Sequence, residues 1–467
     1  MRYKYALISF SLFILTFSTA YAGSFNQNWE RTYPLTGFDE GRSITSANNS
    51  VFVAGISLDP ETYRLIKYSE SGRLMWDNEI EAHIWNRSLR NAAISPCNGG
   101  IVLACTNGTF HIVKYDYDGK LQWQKEWGKA NSVTDIATDG EDFFISGIAE
   151  GESEQQSHIL KCSSDGKVEW NATLDGKIMG ICTCNNSIFA AGYSGNESKL
   201  FKIDSSGKTI WSRVYGSGRI KDVAAGGYIY LLLSLNDTIS LVKCDMNGNA
   251  LWSVEYGERS EGRSIFLKNE LVFIAGSVYN ESSKDFDYAV IEYSGNGELI
   301  GKVEYNGRME DEAWDVYVDG GIFATGYSVI KKIIDMNAVL MDRDIYTASY
   351  ELPNIPPVAD FSWSPEEPEA GKEVKFTDLS YDIDGNISSW EWSFGDGKIS
   401  GSEEPAHEYK KGGTYVVNLT VYDDGGGVGY AEKKIAVKEK DSAPGFEFAI
   451  LIAAFLLIIS KKIRLNF

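Results

Sequence analysis

The chain has 467 residues, of which 43% are hydrophobic and 13% aromatic, so a disordered, collagenous or continuous helical-coil polypeptide is excluded. Its formal net charge of −21 repels phosphate backbones and argues against nucleic acid as a partner. Twelve Trp, 26 Tyr and 46 Gly against 10 Pro point to many short strands joined by tight turns.

Residues 1–22 read as an export signal. Arg2 and Lys4 precede an apolar stretch from Ala6 to Thr19, and Ala20-Tyr21-Ala22 supplies small residues for cleavage. The mature chain is expected to begin near Gly23 and to work outside the cell.

Residues 23–352 carry an internal repeat. Two apolar residues flank a Lys, an aromatic residue or Cys follows, then Asp or Ser, two polar residues, Gly, and four positions later Trp. The copies are Lys67, Gly72 and Trp76; Lys114, Gly119 and Trp123; Lys161, Gly166 and Trp170; Lys202, Gly207 and Trp211; and Lys243, Gly248 and Trp252. Two weaker copies follow: Gly297 opens the sixth, with Glu292 in the Lys place and Gly301 in the Trp place, and Ala338 stands at the Gly position of the seventh. The Gly spacings of 47, 47, 41, 41, 49 and 41 indicate propeller blades rather than a helical solenoid.

Asp-x-x-Gly closes a hairpin, because Asp bonds its own backbone and Gly accepts the left-handed position. Apolar runs between the copies, such as Val51 to Gly55, Ile188 to Gly192 and Val272 to Gly276, read as buried strands. Each unit therefore needs four strands, and such sheets bury their faces by stacking radially. Asn28-Trp29-Glu30 and the degenerate Met341-Asp342 both read as outer strands, giving eight such strands for seven units. The N-terminal strand is thus expected to complete the last blade. The units resemble the seven-bladed β-propeller repeat family of bacteria and archaea, and more loosely the pyrroloquinoline-quinone propeller repeat, through Asp-x-x-Gly-Lys-x-x-Trp at Asp116 to Trp123 and Asp204 to Trp211.

Pro353-Asn354-Ile355-Pro356-Pro357 is a stiff break. Beyond it, residues 353–438 alternate strictly: Trp390, Trp392 and Phe394 share one strand face, as do Tyr415, Val417, Leu419 and Val421 on another. These short strands predict a β-sandwich. The segment Trp390 to Gly397, followed by Gly413-Thr414-Tyr415, resembles the PKD domain, which implies an immunoglobulin-like spacer or adhesive module without catalysis.

After a linker at 439–445, residues 446–460 form an apolar run with a basic end at 461–467. At the helical rise it covers roughly 22 Å, short of a bilayer core of roughly 30 Å. A transmembrane or sorting helix is expected. Pro444, Gly445 and Phe446, together with the apolar run and its basic end, resemble the PGF-CTERM tail of archaeal surface proteins, which implies cleavage by an archaeosortase and attachment to a membrane lipid.

Ten Asn-x-Ser/Thr sequons, at Asn48, Asn86, Asn107, Asn171, Asn185, Asn196, Asn236, Asn280, Asn386 and Asn418, are glycosylation candidates. Cys162 and Cys244 fall at core positions of the repeat, and a disulfide between Cys97 and Cys105 is one connectivity the spacing allows. His111 and His158 share one repeat position, read as polar surface. Glu40-Gly41-Arg42-Ser43-Ile44 recurs as Glu261-Gly262-Arg263-Ser264-Ile265, fitting either the axial channel or inter-blade contacts. Asp382-x-Asp384-Gly385-Asn386 reads as an Asx-turn rather than a calcium loop.

No residue is assigned a catalytic, cofactor-binding or metal role. The expectation is an all-β, non-enzymatic archaeal cell-surface protein whose propeller binds an envelope protein or glycan and whose C-terminus is held at the membrane. An extracellular propeller enzyme, either a quinone-dependent dehydrogenase or a glycosidase, is the alternative. Against it stand the lack of adjacent cysteines and a four-step spacing from Gly to Trp where the glycosidase box has three.

Overall fold

The computed structural model describes residues 23–33, 39–58, 61–80, 91–149, 156–307, 309–335 and 338–440. Contacts divide the chain between Pro353 and Asn354. Among the described residues the secondary structure is entirely strand, and no helix is long and apolar enough to cross a membrane. The signal at 1–22, the sorting motif Pro444-Gly445-Phe446 and the expected helix at 446–460 lie outside the described residues.

Among the described residues the first unit contains seven sheets, antiparallel throughout except where Gly23–Ser24 joins one of them. Blades 1 to 6 span residues 39–80, 93–127, 130–175, 177–217, 219–256 and 260–305 in simple up-and-down order. Each innermost strand packs beside that of the next blade, and the seventh, Asp311–Val318, returns to the first, Asp39–Ala47, so the ring is closed. Blade 7 takes its inner three strands from 311–350 and its outer strand from Gln27–Tyr33, paired antiparallel to Ala338–Tyr350. The N-terminus therefore completes the last blade.

The repeat supplies each junction. In blade 2, Asp116 accepts the amide hydrogens of Asp118 and Lys120 at 3.1 and 2.9 Å, and Gly119 takes φ +84°. The Trp of each outer strand then lies on the turn Gly of the next blade. A Cβ on Gly72, Gly166 or Gly207 would come within 2.5, 2.8 or 2.9 Å of the indoles of Trp29, Trp123 and Trp170. The indole N–H groups of Trp29, Trp76 and Trp170 donate to the turn carbonyls of Glu70, Tyr117 and Ser205. The repeat Lys does related work: Lys67 and Lys243 donate to Tyr117 and Gly295 carbonyls in the following blade at 2.6 and 2.7 Å.

Ring closure explains the weak copies. Blade 7 has no turn leading into its outer strand, so blade 6 needs neither Lys nor Trp and carries Glu292 and Gly301 there. Gly23–Ser24 instead runs parallel to Leu299–Tyr305 at Gly301, and a Cβ on Gly301 would come within 2.3 Å of the Phe25 ring. The expected outer strand at Met341-Asp342 is corrected: these residues belong to the third strand of blade 7, paired with Lys331 and Ile330. Ala338 accordingly opens that strand and is not a third-to-fourth turn residue. Chain connectivity overrode local similarity, since an outer strand was already supplied from the N-terminus.

The second unit packs a three-stranded sheet (Phe361–Ser364, Glu373–Asp378, Ala406–Glu408) on a four-stranded one (Ile399–Ser400, Ile387–Ser393, Gly413–Asp423, Val428–Val437). The alternation is as expected. Trp392, Phe394, Val417, Leu419 and Val421 are buried between the sheets with Phe361 and Phe376, and Trp392 donates to the Ser402 carbonyl at 2.9 Å.

Candidate functional site

Six of the seven inner strands carry a register shift near their start. The shifts fall between Gly41 and Ser43, Val133 and Asp135, Ile178 and Gly180, Ile220 and Asp222, Gly262 and Ser264, and Ala313 and Asp315. A bulge leaves one residue outside the ladder and re-aims it. Arg42, Thr134, Met179, Lys221, Arg263 and Trp314 are those residues, and they line one cavity of about 110 Å³ on the axis. Arg42 pairs with Glu40 and stacks 3.6 Å from the Trp314 ring centroid. Arg263 bonds Glu312 at 2.6 Å and Glu261 at 3.0 Å, and lies 4.5 Å from the same indole. The two Glu-Gly-Arg-Ser-Ile copies thus serve both expected purposes, lining the channel and joining blades. Sequence reading missed Trp314, although Glu312-Ala313-Trp314-Asp315-Val316 is a third, degenerate copy of the same motif.

The next residue along each strand alternates between carboxylate and small. Asp135, Asp222 and Asp315 stand in blades 3, 5 and 7, with Gly180, Ser264 and Ser43 in the blades that follow them. Each carboxylate accepts an amide hydrogen from the next blade: Ile181 to Asp135 at 2.7 Å, Ile265 to Asp222 at 2.9 Å and Ile44 to Asp315 at 2.8 Å. Each also accepts the amide of its own successor at 2.7 to 2.9 Å, and Asp315 accepts the Ser264 hydroxyl at 2.6 Å. A Cβ on Gly180 would lie 2.1 Å from an Asp222 oxygen, which is why blade 4 has no side chain there. The three carboxylates surround a cavity of about 300 Å³. Burial, opposed by their hydrogen-bond donors, pushes Asp222 up to about 7 and raises Asp135 and Asp315 as well, with neighbouring carboxylates adding to the rise at Asp222 and Asp135.

A larger cleft of about 640 Å³ lies between blades 4, 5 and 6 and shares Lys221 with the channel. Its wall includes Arg219, Arg259, Glu261, Asn196 and Asn236.

The sequence-selected residues divide clearly. Asn48, Asn171, Asn185, Asn196, Asn236 and Asn386 are exposed. Asn107 is held by Glu126 at 3.0 Å and by the Thr109 hydroxyl at 2.6 Å; Asn280 donates to Asp287 at 2.7 Å, and Asn418 accepts the Tyr430 hydroxyl at 2.8 Å. Asn86 lies outside the described residues. Cys97 and Cys105 cannot pair as the spacing allowed, because Cys97 faces the core shared with blade 3 and Cys105 the core shared with blade 1. All six cysteines are free, and Cys162 and Cys244 fill cores. His111 corrects the surface expectation: it is buried, its Nδ1 3.4 Å from the Glu126 carboxylate. His158 packs edge-on against Trp127. Among the described residues no group of three His, Cys, Asp or Glu could hold a metal ion. In the second unit the Asp384 amide reaches the Asp382 carboxylate at 3.4 Å, the geometry of an Asx-turn, and burial beside Asp382 pushes Asp384 up to about 6.

A family profile described as outer membrane protein assembly factor BamB matches residues 22–231 and, in an overlapping register, 111–285. A PKD domain profile matches residues 354–438. Among curated proteins, Collagenase ColA of Clostridium perfringens is 48% identical over 69 residues, 15% of this chain and 6% of its own. Pre-pro-metalloprotease PrtV of Vibrio cholerae is 40% identical over 91 residues, 20% of this chain and 10% of its own. The chain thus spans no more than a tenth of these relatives' length. Among solved structures, the PKD1 domain of the Vibrio cholerae metalloprotease PrtV is 39% identical over 18% of this chain and 99% of its own, with a TM-score of 0.17. The Neurospora crassa Pan2 WD40 domain covers 70% of this chain and 96% of its own at 10% identity and a TM-score of 0.47.

Proposed function

We propose, for a chain that belongs over residues 22–231 and 111–285 to the family described as outer membrane protein assembly factor BamB and that carries a PKD domain at 354–438, a non-enzymatic binding role outside the cell. The propeller is the binding or adhesion module, the PKD domain its spacer, and the tail from Pro444 a sorting anchor at an archaeal surface. The observation that carries the non-enzymatic reading is the use made of the channel carboxylates. Asp135, Asp222 and Asp315 each accept two backbone amides, one of them from the next blade, so the acids best placed for proton transfer are engaged in holding the ring. A PKD module following the propeller supports extracellular display.

The test is an array of glycans and envelope proteins probed with the mature protein, with turnover of each ligand followed in parallel. Saturable binding of one ligand class without turnover is expected. Turnover of any bound ligand would move the protein to the enzyme reading, and binding to nothing on the array would sink the proposal.

A further inference from the structure

We propose that the cleft between blades 4, 5 and 6 binds a short acidic saccharide, one that carries carboxylate or sulfate groups on a polyhydroxylated chain; this rests on the extracellular binding role and names the ligand class for it. The cleft, at about 640 Å³, is within the range of roughly 300 to 1,000 Å³ typical of small-molecule sites. Its cations set it apart on a molecule of net charge −21. Arg219 and Arg259 are exposed and form no ion pair with a carboxylate among the described residues. Each is instead placed against a ring: the Arg219 guanidinium lies 5.1 Å from the Tyr193 centroid and that of Arg259 3.2 Å from the Tyr279 centroid. Stacking fixes the guanidinium plane and leaves its N–H edge free for an incoming anion, the fork that carboxylate and sulfate accept.

The acids of the wall do not cancel this charge. Glu261 is bonded by Lys221 at 2.6 Å and by Arg263 at 3.0 Å, and against its burial these cations hold its carboxyl below the usual range. Arg219 adds to the field on Glu261 without an ion pair to it, so Asp237 is the remaining acid of the wall against two arginines that make no salt bridge with a described carboxylate. The backbone is also set for the purpose. Arg259 takes φ +56°, a costly conformation for a side chain of this size, and is fixed there by its carbonyl accepting the Tyr279 amide at 3.0 Å and by the Ser260 amide donating to Asp237 at 2.7 Å. Amides of Asn196 and Asn236 and the half-buried ring of Phe286 complete a wall suited to sugar hydroxyls and one sugar face. The overall negative charge disfavours a long polyanion, so a ligand of a few units is favoured.

Calorimetric titration of the mature protein with trigalacturonate, a chondroitin sulfate disaccharide and neutral maltotriose tests this. One of the acidic probes is expected to bind, more weakly as salt rises, and maltotriose not to bind. Arg219→Gln with Arg259→Gln is expected to weaken that binding at least tenfold with the melting temperature unchanged, and Arg219→Gln alone, at an exposed strand end, to show part of the loss. Absence of binding by both acidic probes, or affinity indifferent to the arginine pair, overturns the site. So does peptide mapping that finds Asn196 or Asn236 carrying glycan in the native protein, since either would fill the cleft. A ligand found on the array whose binding ignores Arg219 and Arg259 defeats this inference while leaving the binding role intact.

Discussion

Trp29 covers Gly72 and donates its N–H to the Glu70 carbonyl at 2.7 Å, so one side chain both fills the junction between blades 7 and 1 and caps a turn. Truncating a buried Trp to Ala costs about 3 to 5 kcal/mol. Trp29→Ala is expected to lower the propeller's melting temperature by several degrees or more, and an unchanged value would remove Gln27–Tyr33 from the ring. The channel carboxylates make a second prediction. Asp222 titrates near 7 in the folded protein and near 4 in an unfolded chain. Between these values the folded state holds more protons, so stability falls as pH rises from about 4 and the loss is complete above about 7. Melting temperatures at pH 5.5 and pH 8 should show the higher value at pH 5.5, with the difference reduced in Asp222→Asn. An unaltered slope in that variant would mean that Asp222 is ionised throughout.

At the scale of elements, the ring is stabilised by junctions rather than by blades. Cores such as Phe52, Ile94, Leu103 and Val113, or Phe189, Val223, Leu231 and Cys244, each draw on two neighbouring sheets. A sheet with two apolar faces cannot be stable alone, which is why the N-terminal strand must return to the last blade. The PKD sandwich is different, because its two sheets bury their apolar faces against each other around Trp392. A fragment of residues 354–438 should therefore unfold cooperatively by denaturant, and Trp392→Ala should abolish the transition. A fragment that acquires structure only when the propeller is added would show that the two units fold as one.

For the whole molecule, the proposed placement at a surface turns on the two ends of the chain. If residues 1–22 direct export and the tail is cut near Pro444-Gly445-Phe446, mass spectrometry of the native protein will recover a mature N-terminus near Gly23 and no peptide from residues 449–467. An intact C-terminus would overturn the proposed cleavage at this motif.

The amino-acid sequence by itself determined the repeat, the blade number, the identity of the closing strand and the PKD sandwich. Each of these rests on short-range chemistry, either a turn that needs Gly119 or alternation that puts Trp392 inside. Sequence also marked the Glu-Gly-Arg-Ser-Ile pair without deciding its purpose. Only tertiary structure decided that Arg42 and Arg263 meet on Trp314, that Asp135, Asp222 and Asp315 share one channel, and that Cys97 and Cys105 face different cores. These residues are far apart in the chain, and the ring brings them together by stacking blades side by side. A bulge then turns a residue toward the axis, an event set by the neighbouring strand and invisible in local pattern. For the same reason the weak sixth and seventh copies could be explained only once the ring was closed, since what Glu292 and Gly301 lack is a turn that the neighbouring blade does not have.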